Sequence, residues 1–409
     1  MFTSVIGTLT SLLPKYFIFG SYVPVLIFSF VNLAMVYLFS AWTRFEIEFW
    51  FGKSPTLSIA VAFVFTVVVA YVVSAINDFL REFLEGRYLP FKAVFRFGQK
   101  RRRDELGERY AKARRQRFEL AQLAHHWAQQ LRDAAVINKP AIGVPYVSGV
   151  LNDLRHAVSN GALNGKRAPL SDRDFKILCT TIDAAVNGMI VKLGIYPTPE
   201  DIGAENDRRD LLLLMGAILN SMKQAEFETG SELFTGFGND PVRPTRMGNI
   251  AAAIDAYAIG RYKMELTIFF SRLQTLLVKN NDKGYPLVLD AKAQLDFLVA
   301  CCWFSAVSTA VWAALLLVYG GLPRAFVIVA VAGYALTAAL YLSASASYLA
   351  YGEVVRAAID VNRFALLGAL DVKLPPSLRE ERNLWSTMSA LAFSGGDSVE
   401  FSYDHPAKP

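Results

Sequence analysis

The sequence predicts an all-α membrane protein built from two transmembrane helical hairpins, four spans in all, with a large helical cytosolic domain inserted between them. Three observations predict it. Of 409 residues, 53% are apolar, and the apolarity is gathered into uncharged runs near the two ends of the chain. Between those ends the apolar residues recur at helical spacing. Cations crowd the far flank of the second run and are sparse in the loop before it, which sets an orientation across the bilayer.

Leu57 to Ile76, LSIAVAFVFTVVVAYVVSAI, is twenty residues without a charge. A helix rising ~1.5 Å per residue needs that length to cross ~30 Å of hydrocarbon. Ser21 to Ala41 is an earlier span, Phe297 to Val318 a third and Ala325 to Ala350 a fourth. The first run is not expected to be a cleaved signal peptide, since Lys15 is its only early cation, the run is long and no small-x-small site closes it. Tyr16, Phe17, Trp42, Phe49, Trp50 and Phe51 flank the first two spans as interfacial anchors. Beyond the second span stand Arg81, Arg87, Lys92, Arg96 and Lys100-Arg101-Arg102-Arg103, against Arg44 and Lys53 in the 42–56 loop. Both termini and the long middle are therefore expected to face the cytoplasm, with the spans in a bacterial inner membrane. The net charge of +6, from 42 basic and 36 acidic residues, is then mostly a topology signal. Cys179, Cys301 and Cys302 suggest no disulfide framework and fit a reducing compartment.

This divides the chain into a first hairpin (1–77), a helical cytosolic domain (78–294), a second hairpin (295–351) and a helical cytosolic tail with a disordered end (352–409). In the middle, Leu106, Tyr110, Ala113, Leu120, Ala124, Trp127 and Leu131 form a coiled-coil-like stripe on a basic helix, interrupted by Arg117. Ser171 to Asp174 reads as a capping box for a helix whose apolar face holds Phe175, Leu178, Ile182, Val186, Met189 and Leu193. Thr198-Pro-Glu-Asp201 is another helix start. The run at 211–219 is too short to span and is expected to be a buried centre, followed by a loop over 229–244. In the fourth span Ala335, Ala339, Ser343 and Ser347 recur every four residues, a small-residue stripe for close packing on the other spans or on a second copy. Near the end, Ser377 to Glu380 caps an amphipathic helix carrying Leu384, Met388 and Leu391.

The chemistry-bearing patterns are few. Span centres lack ionisable residues, which disfavours an ion-coupled transporter. No phosphate-cradling glycine loop, His-x-x-x-His or Cys-x-x-Cys spacing occurs, and adjacent His125 and His126 point about 100° apart on a helix. No catalytic, cofactor-binding or metal residues are therefore assigned. The basic 100–117 segment carries interleaved acids and lacks stacking aromatics, so anionic lipid headgroups or a solvated face suit it better than nucleic acid. The segment PTRMGNIAAAIDAYAIGRYKME stands apart, with Arg246, Asn249, Asp255, Arg261 and Glu265 set among alanines and isoleucines. A helix starting at Arg261 would place Glu265 one turn later and Arg272 about two turns beyond that, as a charge ladder. The expected role is a polar clamp at the membrane face, with an anion pocket at Arg246 and Arg261 as the alternative.

Thr245-Arg-Met-Gly-Asn-Ile250, Asp255-Ala-Tyr257, Arg261-Tyr262 and Ser271-Arg-Leu273 resemble a progression T-R-L-G-N-I, acidic-x-Y, R-Y-G, W-P-R-L found in a family of uncharacterised bacterial integral membrane proteins. Leu84-Glu-Gly-Arg-Tyr88 and Glu380-Glu-Arg-Asn-Leu-Trp385 are similar to two further patterns of that family. Here Lys263 stands where the pattern has glycine, Phe270-Ser271 where it has W-P, and Arg87 is inserted before the tyrosine. Together these features lead to the expectation of a non-enzymatic membrane scaffold or sensor that couples a cytosolic binding event to the hairpins. An oligomeric pore is the second expectation and a membrane-bound enzyme the third. The bilayer, an unidentified cytosolic partner and a second copy of the chain are the expected partners.

Overall fold

The computed structural model describes residues 14–39, 55–90, 92–136, 169–195, 202–238, 241–279, 284–318 and 323–394, and every regular element among them is helical. The expected anchors at 42–51, the helix start at 198–201 and the tail beyond Ser394 lie outside the described residues.

Four helices are long and apolar enough to cross a membrane. The first, α1, joins Lys15–Phe17, Ile18–Tyr22 and Val23–Phe39. Pro24 has no N–H to offer the carbonyl of Gly20 and its ring crowds that carbonyl, and the helix widens to a π-turn over Ile18–Tyr22 just before it. Helix α2 is Pro55–Leu84, α8 is Gly284–Val318 and α9 is Pro323–Ala369. Each outruns the ~20 residues that hydrocarbon requires.

The chain divides into two compact units, one of Met1–Gln99 with Thr235–Pro409, the other of Lys100–Phe234. Residues 78–99 and 235–294, assigned from the sequence to the cytosolic domain, therefore cluster with the apolar helices. Short polar links tie those helices together. Asn32 donates to the Ser308 hydroxyl at 3.2 Å and accepts from the Trp312 indole at 2.9 Å. The Trp303 indole donates to the Leu80 carbonyl at 3.0 Å. Helices α8 and α9 meet through Ser305 and Thr337, hydroxyls 2.9 Å apart, and through Gly333, where a Cβ would come within 2.2 Å of the Thr309 hydroxyl.

The expected small-residue stripe is not the face used in that contact. Ala335, Ala339 and Ser343 are exposed and Ser347 is half-buried. Gly333, Thr337, Ala344, Ser345 and Tyr348 lie closer in. A two-residue offset turns a helix by about 200°, and Gly333 fixes which side meets α8.

Three elements complete this unit: α6 (Arg246–Tyr262), α7 (Leu266–Lys279) and α10 (Leu378–Ser394). They close a core in which Met247, Ile250, Phe269, Leu295, Val299, Ile359, Leu367 and Trp385 are buried. Phe269 meets Trp385 edge to face at 5.0 Å between ring centroids. Glu380 N–H donates to Ser377 at 3.3 Å, the cap expected for α10.

In the second unit, Lys100–Phe234, most of α3 (Lys92–Val136) and α5 (Ile202–Gly236) pack with α4 (Asp172–Ile195) as helices on helices. The stripe on α3 is buried at Leu106, Ala113, Leu120, Trp127 and Leu131, and its polar interruption is relieved by buried Gln116. That amide donates to the Leu170 carbonyl at 2.9 Å and accepts from Leu170 N–H at 3.1 Å. Arg117 turns aside to an ion pair with Glu226, and Trp127 donates to Asp183 at 3.0 Å. Asp174 N–H donates to the Ser171 hydroxyl at 3.1 Å, the predicted box. Leu211, Met215 and Ile218 are buried, whereas Leu213 is exposed, so the 211–219 run is a helix face. The loop expected over 229–244 is shorter than that: α5 continues to Gly236, with Gly230 under the Tyr110 ring.

Candidate functional site

Two sequence motifs that stand far apart in the chain lock together at the end of α2. There the helix closes with Gly86 N–H donating to Phe83 O and Arg87 N–H to Glu82 O, a cap that needs the left-handed φ of +84° at Gly86. Glycine is also required by space, because a Cβ on Gly86 would lie 2.6 Å from Pro244. The reciprocal contact comes from α6. Thr245 caps it by accepting from Gly248 N–H at 3.0 Å, and a Cβ on Gly248 would sit 2.1 Å from the Glu85 carbonyl. The Leu-Glu-Gly segment and the Thr-Arg-Met-Gly-Asn segment thus meet backbone to backbone.

Asn249 holds the approach to α6. Its side chain accepts from Arg243 N–H at 2.7 Å and donates to the carbonyls of Arg243 at 3.0 Å and Thr245 at 2.8 Å. The Tyr341 hydroxyl accepts from Arg246 N–H at 3.1 Å, so α9 satisfies a free donor of the first turn.

Glu85 lies at the centre of the lock, 2% exposed. Its Oε1 accepts from the Tyr348 hydroxyl at 2.7 Å and stands 3.6 Å from Arg81 Nε. Its Oε2 faces Arg87 at 3.3 Å and Arg243 at 3.7 Å. Beside it opens a cavity of about 520 Å³, lined by Glu85, Arg87, Lys92, Arg96, Arg243 and Asp255 among others. Burial raises the Asp255 carboxyl above the usual carboxylate range, against the opposing pull of Arg243.

A second polar centre gathers around Asp360 of α9. Tyr257 and Tyr262 each donate to it at 2.7 Å, one to each oxygen. Arg261 donates to the Tyr257 hydroxyl at 2.8 Å and stands 3.9 Å from Asp360. Arg363 lies over the Tyr262 ring, donates to Glu381 at 2.8 Å and so ties α10 to α9. Burial, then the bond to Asp360, pushes the Tyr262 phenol up to about 12.

The expected ladder is corrected by this geometry. Arg261 does not start a helix; α6 runs through Gly260 and ends at Tyr262, and Lys263 takes a left-handed φ of 65°. Met264, 1% exposed, turns back into the core, and Glu265 becomes the residue before α7. Its carbonyl accepts from Ile268 and Phe269 N–H. Arg261 therefore pairs with Asp360 and not with Glu265. Arg272 lies 5.3 Å over the Phe269 ring. Of the six expected residues, Asp255 lines the cavity, Asn249 and Arg246 shape the start of α6, and Arg261, Glu265 and Arg272 lie elsewhere. His125 and His126 are both exposed on α3.

Sequence reasoning missed Glu85, Arg243, Tyr348 and Asp360. Glu85 sits inside a quoted motif, and its place before a helix-closing glycine was the available signal. No family model, curated protein or solved structure matches the chain.

Proposed function

We propose that the protein is a multi-pass scaffold or sensor of a bacterial inner membrane, non-enzymatic, that couples a cytosolic binding event to its spans. In this reading residues 1–77 and 295–351 are the two hairpins, both termini face the cytoplasm, and the helical insert carries the binding event. The resemblance to the bacterial membrane family belongs to the same proposal. The interlock of Gly86 and Gly248, tied by Glu85 to Tyr348 of α9, supports it most: a rigid backbone contact transmits displacement where a flexible linker would absorb it.

The test places a photoreactive amino acid on exposed positions of α5 in the full chain, in cells, and identifies the adduct. Hydrogen exchange of the chain in nanodiscs is then measured with and without the captured molecule. Changed protection in α6 and α9 supports coupling. Changes confined to α3, α4 and α5, or the absence of any adduct, refute it.

A second reading, an oligomeric pore, is favoured by the exposure of Ala335, Ala339 and Ser343 on a helix that uses another face internally. A closed ring of four or more copies with tension- or ligand-dependent conductance would establish it. A monomer without conductance would remove it.

A further inference from the structure

The cavity beside Glu85 holds more positive charge than the lock consumes. Arg87, Lys92, Arg96 and Arg243 line it against Glu85 and Asp255. Arg87 and Arg243 are engaged with acids at the end of α2: Arg87 with Glu82 and Glu85, Arg243 with Glu85. Lys92 is not matched by a carboxylate; its ammonium donates to the Arg87 carbonyl. Arg96 has no partner among the described residues. About 520 Å³ lies within the range of small-ligand cavities, ~300–1,000 Å³.

We propose that this cavity binds a phosphate group, with Lys92 and Arg96 as the recognising cations and Arg243 and Arg87 as its back wall. Guanidinium forks and an ammonium converging on one concave surface suit the tetrahedral oxygens of phosphate. The first turns of α3 point to where such a phosphate would come from. Val94, Phe95 and Phe97 are 72%, 51% and 73% exposed, interleaved with Lys92 and Arg96 only a few residues beyond the end of α2. Apolar side chains alternating with cations settle at the depth of lipid headgroups. An anionic phospholipid is the first source and a soluble phosphate compound the second. The inference rests on reading α2 as a span and is independent of any cytosolic partner.

The experiment uses the full chain in phosphatidylcholine nanodiscs. Phosphatidylglycerol is doped in and retained adducts are read by native mass spectrometry; inorganic pyrophosphate is titrated separately by calorimetry. Lys92→Gln with Arg96→Gln should weaken the bound species about tenfold, the loss of one or more charge-assisted hydrogen bonds. Arg101→Gln with Arg102→Gln, outside the cavity lining, should stay within about twofold. Retained phosphatidylglycerol supports a lipid source and pyrophosphate binding a soluble one. Binding of neither probe overturns the proposal, as does an equal loss in both variants or no loss in the first. Arg96→Gln alone serves if the double variant fails to fold, because that side chain has no partner to lose among the described residues. Carbonate extraction separates failed insertion, which would count against the span, from lost binding in inserted protein.

Discussion

Replacing Gly248 by alanine puts the interlock under direct strain. The added Cβ would lie 2.1 Å from the Glu85 carbonyl oxygen and 3.1 Å from Arg243 Cβ. Restoring an ordinary carbon–oxygen separation of ~3.3 Å requires the two backbones to part by about 1.2 Å. Neither has room to yield. Glu85 belongs to a capped helix end with Gly86 against Pro244, and α6 is pinned by Tyr341 and Asn249. Overpacking of this kind costs about 1–3 kcal/mol, and a shift beyond an ångström also weakens the buried Tyr348–Glu85 bond, giving about 2–4 kcal/mol in total. The assay is thermal and denaturant unfolding of the full chain in nanodiscs. Gly107→Ala and Gly216→Ala are the matched controls: both are helical, a Cβ at either meets nothing within 4 Å, and each should gain about 0.5–1 kcal/mol. A Gly248→Ala protein that unfolds with the wild type, or controls that lose as much, would refute the reasoning.

Tyr262 should titrate near pH 12 by ultraviolet absorbance, and Asp360→Asn should bring it back toward its ordinary value of 10. Because the folded phenol holds its proton more tightly than the unfolded one, its contribution to stability is complete below pH 10 and fades as pH climbs through about 12. Gln116→Leu strands the N–H and carbonyl of Leu170 and should cost about 2–4 kcal/mol, with faster hydrogen exchange at the start of α4. Trp385→Ala empties a fully buried site against Phe269 and should cost about 3–5 kcal/mol by the same unfolding assay. Lys263→Gly relieves a left-handed residue and should stabilise by up to about 1 kcal/mol; a loss would place an unseen contact on the lysine.

What the sequence could reveal depended on how locally each feature is encoded. Leu57 to Ile76 needs no partner to be legible, because hydrocarbon thickness alone selects its length. The α3 stripe and the boxes at Ser171 and Ser377 were legible because spacing within one helix settles them. The turn after Tyr262 was hidden because a lysine occupies the left-handed position that glycine usually marks, while Gly260, the visible breaker, sits inside the helix. Asp360 was invisible for another reason: its tyrosines lie 98 and 103 residues earlier, and only the tertiary fold brings them together. Which face of α9 meets α8 was hidden as well, because several α9 residues are small enough to approach it and sequence spacing cannot choose among them; the stripe at Ala335, Ala339 and Ser343 stays exposed.

The unbroken course of α9 carries a mechanical consequence. Pro323–Ala369 is one helix of 47 residues, about 70 Å long, more than twice what hydrocarbon covers. If the span ends at Ala350, the stretch from Tyr351 onward overhangs by about 28 Å, and it bears Asp360, Arg363 and the anchor for α10. A lever of this length converts angle into distance: a change of about ten degrees in tilt, of the kind a thinner bilayer imposes, sweeps its tip by about 5 Å. At Asp360, about 14 Å along that lever, the same tilt amounts to about 2.4 Å, enough to stretch the 2.7 Å bonds from Tyr257 and Tyr262 well beyond hydrogen-bonding distance if α6 does not follow.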